Sequence, residues 1–164
     1  MLFRSAFAHK REHRTLAGLR DAEQITNEQL LLLDVDILAP CALEQVITER
    51  NADQVKASII CEGANGPVTP SADAILEGNG VLILPDVLAN AGGVVVSYFE
   101  WVQGLQEYFW KEDEINARLN EIVTRAFDET WQMFDERTTS MRLAAYGLAV
   151  RRVAEATLTR GLYP

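Results

Sequence analysis

Cysteine and histidine are scarce in this chain of 164 residues, which has two of each. Cys41 and Cys61 both follow apolar strand-like runs and imply neither a disulfide framework nor a metal site, which suits a reducing cytoplasm. We expect Cys41 to be a small buried residue, with a reactive thiol as the alternative. His9 and His13 stand four apart, a spacing that suits a metal on a helix. The basic side chains around them would repel a cation, so the sequence predicts no metal site.

Long apolar runs and an excess of positive charge are also missing. The longest apolar stretches, 81–84 and 91–96, fall far short of the ~20 residues that a membrane-spanning helix needs. The 15 Lys and Arg residues against 24 Asp and Glu residues give a formal net charge of -9. That balance argues against a nucleic-acid surface. With 48% hydrophobic residues, the composition is that of a globular chain with a core.

A glycine-rich G-x-G-x-x-G loop is absent as well. The nearest approach is Gly78-Asn-Gly80, which is followed by an apolar run rather than by a helix. The sequence therefore contains no match to the glycine-rich phosphate loop that this motif describes.

Helix and strand signals alternate over residues 9–90, which predicts a parallel sheet with crossover helices. Thr26-Asn-Glu-Gln29 has the spacing of a capping box, and Thr69-Pro70 has the chemistry of another helix start. We expect helices after these two starts, through 30–33 and over 71–76, and short helical turns at 42–47 and 51–55. Three consecutive parallel strands are predicted at 35–38, 58–61 and 81–84.

Residues 91–164 read as helical. Apolar residues such as Ile115, Leu119 and Ile122 recur at helical spacing with charged residues between them. We expect helices over 91–106, 112–136 and 140–160, and their apolar stripes predict that they cover the sheet.

The segment from Leu84 to Trp101 carries the densest chemistry. It passes from an apolar strand, through Gly92-Gly93, into an aromatic-rich helix. In open parallel sheets, ligands bind at the carboxyl ends of strands, where glycine lets a ligand approach the backbone closely. Asn90 adds an amide and Ser97 a hydroxyl, so the segment suits a planar amide and a carboxylate.

Asn90-Ala-Gly-Gly93 followed by Ser97-Tyr-Phe-Glu-Trp101 resembles the cofactor and substrate loop of the glutamate dehydrogenases, members of the glutamate, leucine, phenylalanine and valine dehydrogenase family. Asp34-Val-Asp-Ile-Leu-Ala-Pro40 resembles the family's third nucleotide-domain strand, and Glu62-Gly-Ala-Asn-Gly-Pro67 its next strand-end loop. The closing helix is similar at 141–146 and 151–156. The run Tyr98-Phe-Glu-Trp101 is typical of the glutamate branch.

This resemblance runs in order from about His9 to Pro164. It implies an α/β fold: a partial Rossmann-like, doubly wound parallel nucleotide-binding domain with a carboxyl-terminal helical region. Family members are more than twice as long, so the resemblance also implies that residues 1–164 are the carboxyl-terminal part of the NAD(P)-binding domain and that an amino-terminal substrate domain is absent. Because Met1-Leu-Phe-Arg-Ser5 fits no family pattern, we expect that Met1 is not the natural start.

Four residues match cofactor-binding positions of the family. The resemblance implies that the backbone at Ala42 passes the cofactor, that Asn65 binds a ribose hydroxyl or orients its loop, and that Asn90 meets the nicotinamide carboxamide. Gly92 would allow the cofactor to approach. The plain alternatives are a loop alanine, ordinary turn chemistry for Asn65, and a helix N-cap for Asn90.

Two residues match substrate-binding positions. The resemblance implies that Val94 packs against the substrate methylenes and that Ser97 hydrogen-bonds the distal carboxylate of glutamate. Core packing and a buried serine bonded to its own helix are the alternatives.

The activity implied is the reversible oxidative deamination of L-glutamate to 2-oxoglutarate and ammonia, with NAD or NADP as cofactor. The catalytic lysine and acidic residue belong to the absent half, so no catalytic residue is expected here and the isolated chain is expected to be inactive. The ending Arg160-Gly-Leu-Tyr-Pro164 is closer to the NAD-using type. Family members are typically hexameric.

Two other classes of function stay open. One is a non-catalytic binding or assembly module, although its sheet would have an exposed apolar edge that favours aggregation. The other is an amino-acid dehydrogenase with a different side-chain specificity.

Overall fold

The computed structural model describes residues 2–137 and 139–161. They divide into two compact units, one up to Leu33 and one from Asp34 onward. No helix in these ranges is both long and apolar enough to cross a membrane.

The first unit contains helix α1 (Leu2–His13), which was not predicted, and helix α2 (Asn27–Leu31). The predicted capping box is confirmed, because Thr26 Oγ1 accepts the Gln29 backbone N–H at 3.1 Å and Gln29 Oε1 accepts that of Thr26 at 2.8 Å. The helix ends at Leu31 rather than at Leu33. His9 and His13 lie side by side on α1, their ring centroids 4.3 Å apart.

The second unit is built on a parallel sheet of three strands in the order β1 (Ile37–Leu38), β2 (Ile59–Cys61) and β3 (Leu82–Leu84). The register pairs Leu38 with Ile60 and Ile60 with Ile83. The predicted three consecutive parallel strands are confirmed, although β1 is shorter than expected. Ile60 and Ile83 are buried, as suits a sheet covered by helices.

A short 3₁₀ turn (Ala52–Gln54) lies between β1 and β2, and helix α3 (Pro70–Gly78) follows β2. As predicted, α3 begins with Thr69 as its cap and proline in its first turn. The helical turn expected at 42–47 is wrong. Ile47 instead pairs in parallel with Val68, and its N–H donates to Pro67 O at 2.9 Å.

Four helices follow β3: α4 (Asp86–Ala89), α5 (Gly92–Gln106), α6 (Glu112–Arg137) and α7 (Met141–Arg160). The last three confirm the predicted helical region, whereas α4 was not predicted. Helices α6 and α7 pack along each other, and α7 also packs against β3. The core of this unit includes Ile47 in the bridge to Val68, Ile60 in the sheet, and buried side chains of α3, α5 and α7: Ala72, Leu76, Phe99, Met141, Ala144 and Leu148.

Candidate functional site

The three strands run parallel, so the loops that follow them meet at one edge of the sheet. A cleft of about 570 Å³ opens there. Its lining comes from the loops after β1 and β2 and from the start of α5, and consists of Ala42, Glu44, Gly63, Ala64, Asn65, Asn90, Gly93, Val94 and Ser97. The fold thus brings together five of the six residues that the sequence selected; Gly92 is the sixth.

Asn65 and Asn90 form an amide pair across the cleft floor. Asn90 Nδ2 donates to Asn65 Oδ1 at 2.7 Å and to Gly63 O at 3.4 Å. The N-cap alternative for Asn90 is not observed, because it is the C-cap residue of α4 and the N-cap of α5 is Ala91, without a side-chain cap. The pair ties the loop after β2 to the loop after β3.

The first turns of α5 form one wall of the cleft. A Cβ placed on Gly93 would have no neighbour within 4 Å, whereas one on Gly92 would lie 3.7 Å from Leu119 Cδ1. Gly93 therefore faces open space, and Gly92 faces α6. The role predicted for Gly92 stays a prediction.

Val94 and Ser97 stand three positions apart, on one face of α5. Val94 is 76% exposed, which rules out core packing for its side chain. Ser97 is also exposed, and its hydroxyl makes no hydrogen bond to any residue that the structure describes. The alternatives considered for both residues therefore do not hold, and both side chains are available to a ligand.

The loop after β1 carries Cys41, Ala42 and Glu44. The expectation that Cys41 is buried is wrong, because the loop leaves it exposed, with its Sγ packed against the backbone of Gly63. Cys61 is half-buried, and burial, together with nearby Cys41 and Glu62, raises the pKa of its thiol. Glu44 was missed by the sequence reasoning; the signal available was its place in a strand-end loop, and it brings a carboxylate into the cleft.

A cluster of charged side chains lies at the same edge of the sheet. Arg142 on α7 grips Glu62, with Nη2 donating to Oε1 at 2.7 Å and Nη1 to Oε2 at 3.0 Å. Arg142 Nε donates to Asp73 Oδ2 at 2.7 Å, and Nη1 to Asp86 Oδ1 at 3.4 Å. Glu62 is completely buried, and the other three are largely so. We call Glu62, Asp73, Asp86 and Arg142 the buried charge cluster.

Electrostatics hold this cluster together. Burial alone would lower the pKa of the Arg142 guanidinium, but hydrogen bonds and charges from Asp73 and Glu62 outweigh it and raise that pKa above its ordinary value. The arginine is therefore a permanent cation among three carboxylates. No member of the cluster was singled out from the sequence.

The fold and the cleft define the class of protein. A parallel sheet flanked by helices, with a polar cleft where its strands end, is a Rossmann-like α/β nucleotide-binding domain. The chain belongs to the glutamate/leucine/phenylalanine/valine dehydrogenase family, a family of oxidoreductases, whose sequence model matches residues 3–161. The match begins at residue 3, although we expected the similarity to start only at about His9.

Two curated relatives are 52% identical to this chain. One is a glutamate dehydrogenase of Thermotoga maritima, matched over 156 residues, which are 95% of this chain and 38% of the relative. The other is an NAD-specific glutamate dehydrogenase of Staphylococcus aureus, matched over 139 residues, 85% of this chain and 34% of the relative. The chain thus spans little more than a third of the length of these relatives.

A solved structure shares the fold. The hetero-hexameric glutamate dehydrogenase of Thermus thermophilus, in a leucine-bound form, superposes with a TM-score of 0.89 at 32% identity. The superposition covers 100% of this chain and 38% of that one.

Proposed function

We propose that this chain forms the nicotinamide and substrate end of an NAD-linked glutamate dehydrogenase, which interconverts L-glutamate with 2-oxoglutarate and ammonia. The observation that carries the proposal is the cleft, because it collects Ala42, Asn65, Asn90, Val94 and Ser97 at the strand ends of a Rossmann-like sheet. Relatives named glutamate dehydrogenase support the reaction, and the Staphylococcus aureus relative named NAD-specific supports NAD over NADP.

The cleft fits one end of a nicotinamide cofactor. Its volume of about 570 Å³ lies within the usual range for small-molecule sites, and the space over Gly93 is open to a planar ring. Asn90 and Asn65 would hold the carboxamide and the neighbouring ribose, while Ala42 leaves room for both. When bound, NAD supplies the hydride acceptor and donor. The protein orients the two reactants and keeps water away.

Val94 and Ser97 would hold the substrate. Their shared face pairs an apolar surface for the methylene groups with a hydroxyl donor for the distal carboxylate. The lysine and carboxylate that transfer protons would belong to the part of the enzyme that corresponds to the unmatched residues of the longer relatives. In this proposal the site is complete only when those groups face the cleft.

We also infer that the chain works within an oligomer in a reducing compartment, the cytoplasm. The Thermus thermophilus structure is hetero-hexameric, which supports assembly into an oligomer, and we propose a homo-hexamer for this protein. Ile37, at the edge of the sheet, is 60% exposed, as expected of an apolar side chain that another part of the complete assembly would cover. Free Cys41 and Cys61 agree with reducing conditions.

The first test replaces Asn90 by alanine. Because the chain spans 38% of the Thermotoga maritima relative, the variant is made in a chimera in which this chain replaces the matching stretch of that enzyme. We expect NAD binding to weaken by about 1–3 kcal/mol, the cost of a lost polar contact in a desolvated site. The measurement is the Kd for NAD, by calorimetry.

The matched control is Asn120→Ala, which removes an exposed asparagine of α6 that does not line the cleft. It should leave NAD binding unchanged. Equal NAD affinity in Asn90→Ala and the parent chimera would defeat the assignment of this cleft to the nicotinamide.

The second test is Ser97→Ala in the same chimera. We expect the KM for glutamate to rise, with kcat/KM lowered by about 1–3 kcal/mol, because a buried carboxylate loses a partner. NAD affinity should not change, nor should any constant in the control Ser71→Ala on α3. Unchanged glutamate turnover, with leucine, phenylalanine or valine as the better substrate of the parent chimera, would favour the alternative specificity.

A further inference from the structure

We infer that Arg142 is a positioning residue for the cleft: from α7 it sets the relative position of the two loops that carry Asn65 and Asn90. The consequence for cofactor binding rests on the function proposed above, whereas the consequence for loop geometry does not.

The route from Arg142 to the cleft is short and continuous. Glu62 Oε2, which accepts from Arg142 Nη1, also accepts the backbone N–H of Asp86 at 2.8 Å. Asp86 Oδ1 accepts from Arg142, and Asp86 Oδ2 accepts the backbone N–H of Gly66 at 2.8 Å. Gly66 is the neighbour of Asn65, and α4 leads directly to Asn90. Both amides of the pair are therefore placed by backbone that the cluster holds.

The chemistry of the cluster requires a guanidinium. Arg142 uses Nε, Nη1 and Nη2 at once on three carboxylates, in a planar arrangement that an ammonium group cannot reproduce. Glu62 has no exposure, so water cannot replace a lost donor there. Lysine would keep the charge and lose the geometry.

The bridging geometry makes the cluster sensitive. Arg142 Nη1 donates to both Glu62 and Asp86, so a cation without this geometry no longer joins the two carboxylates. Glu62 begins the loop after β2, and Asp86 begins α4. Loss of the bridge would release the two loops that the amide pair joins.

The test is Arg142→Lys in the chimera with the Thermotoga maritima relative, read by NAD affinity and by hydrogen exchange without ligand. We expect faster exchange in peptides spanning 62–67 and 86–90, unchanged exchange in α6, and a Kd for NAD raised roughly 10- to 100-fold, the scale of losing one or two well-placed polar contacts. The control is Arg152→Lys, because Arg152 lies on the same helix, is exposed, and pairs with Glu129. It should change neither readout.

Glu62→Gln changes the partner of Arg142 instead of Arg142 itself, and it tests the positioning role if Arg142→Lys does not fold. It keeps one oxygen for the Asp86 N–H, but its amide nitrogen would face Arg142 Nη2 donor to donor, so the two-point contact that fixes Glu62 is lost. Both readouts should therefore move in the same direction as in Arg142→Lys.

Two outcomes separate this inference from the proposed function. Unchanged exchange and NAD affinity in Arg142→Lys, with NAD binding weakened in Asn90→Ala, would overturn the positioning role and leave the cleft assignment intact. Faster loop exchange in Arg142→Lys, with NAD affinity unchanged in both variants, would support the positioning of the loops and overturn the cofactor assignment.

Discussion

The amide pair and the buried charge cluster are two polar groups at the same edge of one sheet, and they differ in burial. Asn65 is exposed, and the amide pair is closed by a bond of 2.7 Å from Asn90. Glu62 is fully buried, and both of its oxygens are held by Arg142. The hydrogen-bonding groups of Glu62 are all used by protein partners, whereas the amide pair lies on the floor of an open cleft.

This difference separates residues that shape a site from residues that can touch a ligand. A buried group that is saturated by protein partners contributes geometry, because exchanging a partner costs its full desolvation. An exposed amide can exchange a water molecule for a ligand at little cost. The charged residues are therefore expected to matter most to stability, and the amides to binding.

The largest expected effect is on stability, in Arg142→Met. Removing the cation leaves Glu62 buried and unpaired, and we expect the free energy of unfolding to fall by about 3–5 kcal/mol. The measurement is urea unfolding of the 164-residue chain, followed by circular dichroism. Arg152→Met, on the exposed pair with Glu129, should cost under about 1 kcal/mol.

The comparison variant is Asn65→Ala, which breaks the amide pair. One exposed hydrogen bond contributes about 0.5–1.5 kcal/mol, so this variant should unfold near the parent. Equal losses in Asn65→Ala and Arg142→Met would contradict the division between a structural cluster and a ligand-facing pair.

The next effect concerns binding and separates two neighbouring glycines. In Gly93→Ala the added methyl group enters open space in the cleft, so in the chimera we expect NAD affinity to fall by about 1–3 kcal/mol, the usual cost of overpacking. The fold should not suffer, because alanine favours a helix over glycine by about 0.5–1 kcal/mol.

Gly92→Ala places its methyl group 3.7 Å from Leu119, an ordinary contact, and should leave NAD affinity unchanged. Calorimetry on both variants decides which glycine the cofactor approaches. A loss of NAD affinity in Gly92→Ala but not in Gly93→Ala would support the cofactor-binding role that the sequence predicted for Gly92.

Local chemistry made much of this fold predictable from sequence. The hydroxyls of Thr26 and Thr69 begin helices where the capping rules place them, and the short apolar runs at β1, β2 and β3 predicted consecutive parallel strands. The same reasoning predicted the edge at which the cleft lies, because parallel strands must end together. The residues chosen at that edge came from the family resemblance.

What sequence reasoning missed depends on distant pairing. Arg142 meets Glu62 across 80 positions of sequence, and each member of the cluster looks alone like a solvated or capping charge. The segment 42–47 reads as helical, but Ile47 pairs with Val68 and Gln45 adopts a left-handed φ of 51°, so no helical turn forms there. Cys41 looked like a core residue because it follows an apolar strand, yet the turn after Pro40 carries it to the surface.

The smallest expected effect is a gain in stability at Gln45→Gly. Gln45 has a φ of 51°, in the left-handed region that costs a residue with a Cβ about 1–2 kcal/mol. Glycine relieves that cost but loses more entropy on folding, so we expect a net gain of about 0.5–1 kcal/mol. Urea unfolding of the chain measures it.

The position of Gln45 relates this gain to the two polar groups. Its N–H donates to Gly66 O at 2.8 Å, so the strained residue braces the loop that carries Asn65. The four residues of the buried charge cluster have no positive φ. Glu121→Gly, in the exposed middle of α6, is the control and should lose about 1 kcal/mol. A loss of stability in Gln45→Gly as well would mean that the Gln45 side chain supports the loop that carries Asn65. The shape of the cleft would then depend on that side chain as well as on the buried charge cluster.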